Sequence, residues 1–189
     1  MDYRRRDLLS LSAAGLAAVS GCLGIASSDE GDGGDGEDAE DDPEVGRTDW
    51  RNEPLEDVRT GETFTIGGHD VPVVLHSFAV WCGSCRTQQA HLAEFHESYE
   101  GEVVGIDLNV DANEGRERIE EHLEATGHDW YFAVSPPGVT RGIVDAFSPK
   151  LASGPGSPVV VICPNGGHEV LDDFSTPAAD VEAAVRGCR

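Results

Sequence analysis

The sequence predicts an α/β domain built on a mixed central sheet with helices on both faces. Three observations carry that expectation. Apolar runs and helical repeats alternate along residues 51–189 as strand, strand, helix, strand, helix, a short strand-plus-helix unit, strand, strand, helix. The runs at 71–80 and 158–163 are almost continuously apolar, as strands covered on both faces are. About 140 residues are enough to bury one stable core without a metal or a disulfide scaffold.

The elements follow in order. Residues 62–66 alternate as a half-buried strand does, and Gly67-Gly68 is a turn signal. Residues 71–80 form the central strand. From Gly83 to about Tyr99 the period becomes helical, with Leu92, Phe95 and Tyr99 on one face. Residues 103–108 read as a second buried strand, and 114–126 as a charged helix stopped by Gly127. A short strand at 130–134 and a short helix at 139–147 follow. Residues 158–163 and 169–171 pair as strands across the turn Pro164-Asn165-Gly166-Gly167, and 178–187 close the chain as a helix. An extra hairpin is expected ahead of the central strand.

The first fifty residues have another character. Arg4-Arg5-Arg6-Asp7-Leu8-Leu9 precedes an apolar stretch, 8–21, of 14 residues, short of the ~20 a spanning helix needs. Residues 1–21 therefore read as an export signal, and the paired arginines resemble the twin-arginine type. Val19-Ser20-Gly21-Cys22 resembles a lipobox, which would make Cys22 the lipidated first residue of the mature chain. Residues 22–50 then form an acidic tether that lacks the apolar surface to fold and reaches roughly 25–30 Å as a coil. A Ca²⁺-loop spacing of ligands is missing from it.

The formal charge of −23 repels nucleic acid and anionic lipid. Residues 47–189 carry 24 acids against ten bases, with Lys150 the single lysine. This composition indicates adaptation to molar salt, where the Debye length is about 3 Å and self-repulsion is screened.

The chemistry centres on Trp81-Cys82-Gly83-Ser84-Cys85, at the passage from strand to helix. That spacing lets a disulfide close within one helical turn. The free amides and positive dipole end at a helix N-terminus favour the Cys82 thiolate. Cys82 is expected to attack a partner's disulfide and Cys85 to resolve the mixed disulfide. Zinc would need a second close ligand pair, and the sequence has none; no metal and no cofactor are expected.

Phe78-Ala79-Val80-Trp81-Cys82-Gly83-Ser84-Cys85-Arg86, the apolar strand before it, and Gly156-Ser157-Pro158 before the next long strand together resemble the thioredoxin superfamily. The extra hairpin and the long stretch between motif and proline resemble its TlpA-type, membrane-anchored branch, here as a haloarchaeal-type lipoprotein. The resemblance covers about residues 55–187 and implies a thioredoxin-like fold. It implies a cis peptide at Pro158, substrate pairing through the Ser157 backbone, and Trp81 at the substrate surface. It also places His76 where thioredoxins bury an acid that manages the second cysteine's proton; a proton relay and a histidine simply bonded to a backbone carbonyl both fit. Arg86 reads as solvated. Three departures stand out: Gly-Ser replaces Gly-Pro between the cysteines, Gln88 stands where many TlpA-type proteins carry glutamate, and Ala90 replaces the kinking proline. On this fold Cys163 and Cys188 fall at the pole away from the motif, so that in an oxidising compartment they are expected to pair.

The function this implies is thiol–disulfide exchange, reducing extracytoplasmic client proteins with electrons from a membrane-embedded donor, by a lipid-anchored monomer. Oxidase or isomerase action is an alternative. A copper chaperone using His76 or His91 with the cysteines is disfavoured by the two-residue spacing. A peroxidase is disfavoured by Ala79, where threonine would be required.

Overall fold

The computed structural model describes residues 49–152 and 158–188. The signal segment 1–21, Cys22, the tether to residue 48 and Ser157 lie outside them.

Five strands form the main sheet in the order β5-β4-β3-β6-β7. They are β3 (Val73–Phe78), β4 (Val104–Asn109), β5 (Tyr131–Val134), β6 (Val159–Ile162) and β7 (His168–Leu171). β3, β4 and β5 run parallel, joined by α1 (Gly83–Ser98) and α2 (Arg116–Thr126) as crossovers. β6 is antiparallel to β3 and pairs with β7 across the Cys163–Gly167 turn.

β3 is buried at every position, as its continuous apolar run requires. Its alternate residues feed two cores. Val74 and Phe78 pack with Leu92 and Phe95 of α1, Ile119 of α2, and Val181 and Val185 of α4 (Ala178–Gly187). Val73 and Leu75 pack on the other face with Val139 and Ile143 of α3 (Pro137–Ala146) and with Leu151. Helices thus cover both faces, and the fold is thioredoxin-like.

The hairpin differs in detail from the sequence reading. It pairs β1 (Leu55–Glu56) with β2 (Thr63–Phe64), while Gly67-Gly68 leads on to β3 without a ladder. The reason lies in Asp57, whose Oδ2 accepts from Thr60 N and Oγ1 and closes the turn upstream, with Gly61 at φ +73°. Asp57 Oδ1 also accepts from Phe132 N, and Val58 N donates to Phe132 O, so the hairpin covers the outer edge of β5. α2 starts two residues later than its acidic pattern suggests, because Glu114 turns inward before the helix.

Candidate active site

β3 ends at Phe78, and residues 79–82 bring the chain round to α1, whose N-cap is Cys82 in extended conformation (φ −77°, ψ 112°). Cys82 Sγ accepts from Cys85 N at 3.2 Å, the bond a capping side chain makes to the first helical turn. Cys82 and Cys85 are joined as a disulfide with Cα atoms 5.3 Å apart. The first turn of α1 carries no acid of its own to offset the positive end of the helix at Cys82. Ser84 Oγ lies 3.2 Å from Cys82 Sγ, a hydroxyl placed to donate to the thiolate once the bond opens.

Two side chains from the segment after β4 hold the approach to Cys82. Glu114 Oε2 accepts from Val80 N at 2.8 Å and from Asn109 Nδ2 at 2.6 Å. Asp111 accepts from the Trp81 indole N–H, and this bond, followed by that from Asn113 N, holds the Asp111 carboxyl below its ordinary range. Trp81 itself stays 59% exposed beside the disulfide. Cys85 is fully buried. Cys82, the N-cap, is itself buried at 3% exposure, next to the exposed Trp81.

Of the other residues singled out by sequence, Pro158 is buried just before β6; since Val159 pairs with His76, Pro158 stands at the cysteine-bearing end of β3. The Ser157–Pro158 peptide falls outside the described residues. His76 is fully buried, with Nδ1 3.2 Å from Asp107 Oδ2. Cys163 and Cys188 are joined as a disulfide. Arg86 is exposed. His91 Nδ1 lies 3.9 Å from Glu94, and among the described residues no three His, Cys, Asp or Glu gather to hold a metal ion.

Sequence reading missed Glu114, Asp111, Asp107 and Gln89. Asp107 had a signal, since an acid inside the apolar run 103–108 must find partners when buried. The others sit in polar stretches where nothing local marks them.

Fold and disulfide together have the form of a thioredoxin-type thiol–disulfide oxidoreductase. Comparison with known proteins agrees with the fold: residues 60–121 match the family model Thioredoxin. Over 44 residues it is 43% identical to the thioredoxin of Alicyclobacillus acidocaldarius, covering 23% of this chain and 42% of that protein. The chain thus spans less than half the length of the curated relatives it matches. A thiol:disulfide interchange protein from Chlorobium tepidum superposes with TM-score 0.57 at 17% identity, over 71% of this chain and 93% of that one. A secreted Mycobacterium tuberculosis disulfide oxidoreductase homologous to E. coli DsbE does so with TM-score 0.51 at 11% identity, over 71% and 94%. At these identities the structural likeness establishes the fold.

Proposed function

We propose that the chain reduces disulfides in client proteins on the extracytoplasmic side of the membrane, cycling Cys82 and Cys85 between dithiol and disulfide. The observation that carries this is the Cys82–Cys85 disulfide at the start of α1, with Cys82 as N-cap and its Sγ accepting from Cys85 N. The Cys82 thiolate attacks a client disulfide, its sulfur bonding one client sulfur while the other leaves as thiolate. Cys85 then displaces the second client sulfur and closes the Cys82–Cys85 bond. Two electrons pass to the client, and a membrane-embedded thiol donor restores the dithiol.

The location rests on the signal-like residues 1–21 and the lipobox ending in Cys22, and the secreted M. tuberculosis fold relative accords with it. The tether 22–50 would hold the domain off the membrane, and the acid excess suits a saline exterior.

Ser84 beside Cys82 favours the reduced form and so a more oxidising couple, which keeps oxidase action as the second reading. The test is to react reduced full chain with a disulfide-bonded model protein and measure the couple's potential against glutathione. Reduction is expected to vanish in Cys82→Ser, and Cys85→Ser should accumulate the mixed disulfide. A potential more oxidising than glutathione would reverse the direction, and an inert dithiol would end the proposal. Loss of membrane attachment in Cys22→Ser tests the anchor.

A further inference from the structure

An acid from outside α1 reaches into the turn that presents the cysteines. Glu114 precedes α2, yet its side chain is buried, with Oε2 accepting from Val80 N at 2.8 Å and from Asn109 Nδ2 at 2.6 Å. Both donors are neutral groups. Among the described residues no lysine, arginine or histidine lies within ion-pair distance of this carboxylate. A buried charge without a cation costs stability, and two hydrogen bonds offset that cost only in part. The charge sits where it has something to act on.

That target is Cys82. Residues 79–82 form a tight turn closed by Cys82 N donating to Ala79 O at 3.0 Å, and Val80 lies inside it. Val80 N and Cys82 N are at most about 7 Å apart along the chain, so the carboxylate lies within about 10 Å of the N-cap. Glu114 and Cys82 are both buried, so salt screens their interaction weakly. The neighbouring charges differ. Asp111, bound to the Trp81 indole, and Arg86, in the first turn of α1, are at the surface. His122 of α2 feels Glu114, but burial is the larger effect and holds it below the ordinary histidine range. In concentrated salt the surface charges are screened and Glu114 remains.

Taking Cys82–Cys85 as the exchange couple of the proposed function, we propose that Glu114 is a positioning residue whose fixed negative charge makes this couple more reducing and so directs electrons toward the client. When a dithiol donor reduces the chain, its two sulfurs join as a disulfide and give up two electrons and two protons. The electrons open the Cys82–Cys85 bond. One proton goes to Cys85 and the other to solvent, and the negative charge rests on Cys82 at the positive end of α1. Glu114 raises the free energy of that thiolate and leaves the neutral disulfide untouched, so the reduced form yields its electrons more readily. Ser84 pulls the other way by donating to the same sulfur. The potential is the balance between a hydroxyl and a carboxylate.

Glu114→Gln separates charge from shape, since the amide oxygen can still accept from Val80 N and Asn109 Nδ2. In the reduced full chain, alkylation of Cys82 by iodoacetamide is expected to quicken near neutral pH, with its midpoint about one pH unit lower. The equilibrium with glutathione, measured above that midpoint, is expected to move about tenfold toward the dithiol, which is roughly 30 mV. Both shifts should persist in molar potassium chloride, which screens surface charges. An unchanged midpoint and equilibrium, or shifts that salt abolishes, would overturn the proposal. A wild-type dithiol that does not exchange with glutathione would instead sink the couple itself, and the proposal with it. Should Glu114→Gln fail to fold, infrared difference spectra of wild type carrying isotope-labelled glutamate decide. Opening the disulfide puts charge near Glu114, so a labelled carboxylate band must shift between oxidised and reduced protein; a difference spectrum without one would refute the role.

Discussion

Gln88 grips the backbone of Thr176 from both sides, its Oε1 accepting from Thr176 N at 2.7 Å and its Nε2 donating to Thr176 O at 3.0 Å. All of this is buried, and it fastens α1 to the segment that leads into α4. An amide suits the site because it offers one donor and one acceptor at every pH.

Gln88→Glu should therefore convert a constant contact into a titrating one. A buried carboxyl facing the Thr176 carbonyl can donate only while protonated, so its folded pKa must lie above the unfolded value near ~4.3. The stability of this variant is present below that value and is lost as pH rises through the folded pKa. Near neutral pH the loss is expected at about 1–3 kcal/mol. Guanidinium unfolding midpoints across pH, variant against wild type, check it; a constant difference would refute it.

The three histidines depressed by burial give the opposite pH trend. His96, His122 and His128 bind protons more readily unfolded, near ~6.5, than folded. Between that value and the lower folded ones the unfolded state holds more protons, so stability falls as pH drops below about 6.5. Thermal midpoints of wild type should decline through this window, and less steeply in His128→Gln.

Ser84→Ala removes the hydroxyl 3.2 Å from Cys82 Sγ. A hydrogen bond to a charged acceptor is worth about 1.5–3 kcal/mol, so the thiolate becomes harder to form. Alkylation of reduced Cys82 near neutral pH is expected to slow about tenfold, with its pH midpoint moved upward. Unchanged alkylation kinetics would show that Ser84 does not reach the thiolate.

The second disulfide, Cys163–Cys188, closes a separation of 25 residues and ties the end of α4 to the end of β6. Replacing both cysteines with alanine should lower stability by about 2–4 kcal/mol. Cys163 follows the end of β6 remote from the cysteine-bearing end of β3, since Ile162 pairs with Val73. Disulfide reduction by the folded double variant should thus match wild type. A lost exchange activity in that folded variant would tie the bridge to the chemistry.

What was legible in the sequence was whatever repeats or punctuates. The continuous apolar runs announced β3, β4 and β6, and Cys82 to Cys85 marked its own place at a helix start. β1 was hidden because two residues are too few to show alternation, and its partner was chosen by the Asp57 side chain. The companions of the cysteines were hidden for a related reason. Asp107 meets His76 because two strands align in register, and Glu114 reaches Val80 across 34 positions of chain. Such meetings are properties of the folded topology, which no window along the sequence contains.

The grip of Glu114 on Val80 and of Asp111 on Trp81 bears on what happens between turnovers. Neither contact involves sulfur, so both outlast the opening of the bond between the cysteines. A loop held in this way is expected to keep its shape on reduction and to leave Cys85 beside Cys82, at the effective molarity of a preformed ring closure. In the proposed cycle a client caught on Cys82 would be short-lived, since Cys85 would need no search through loop conformations to displace it.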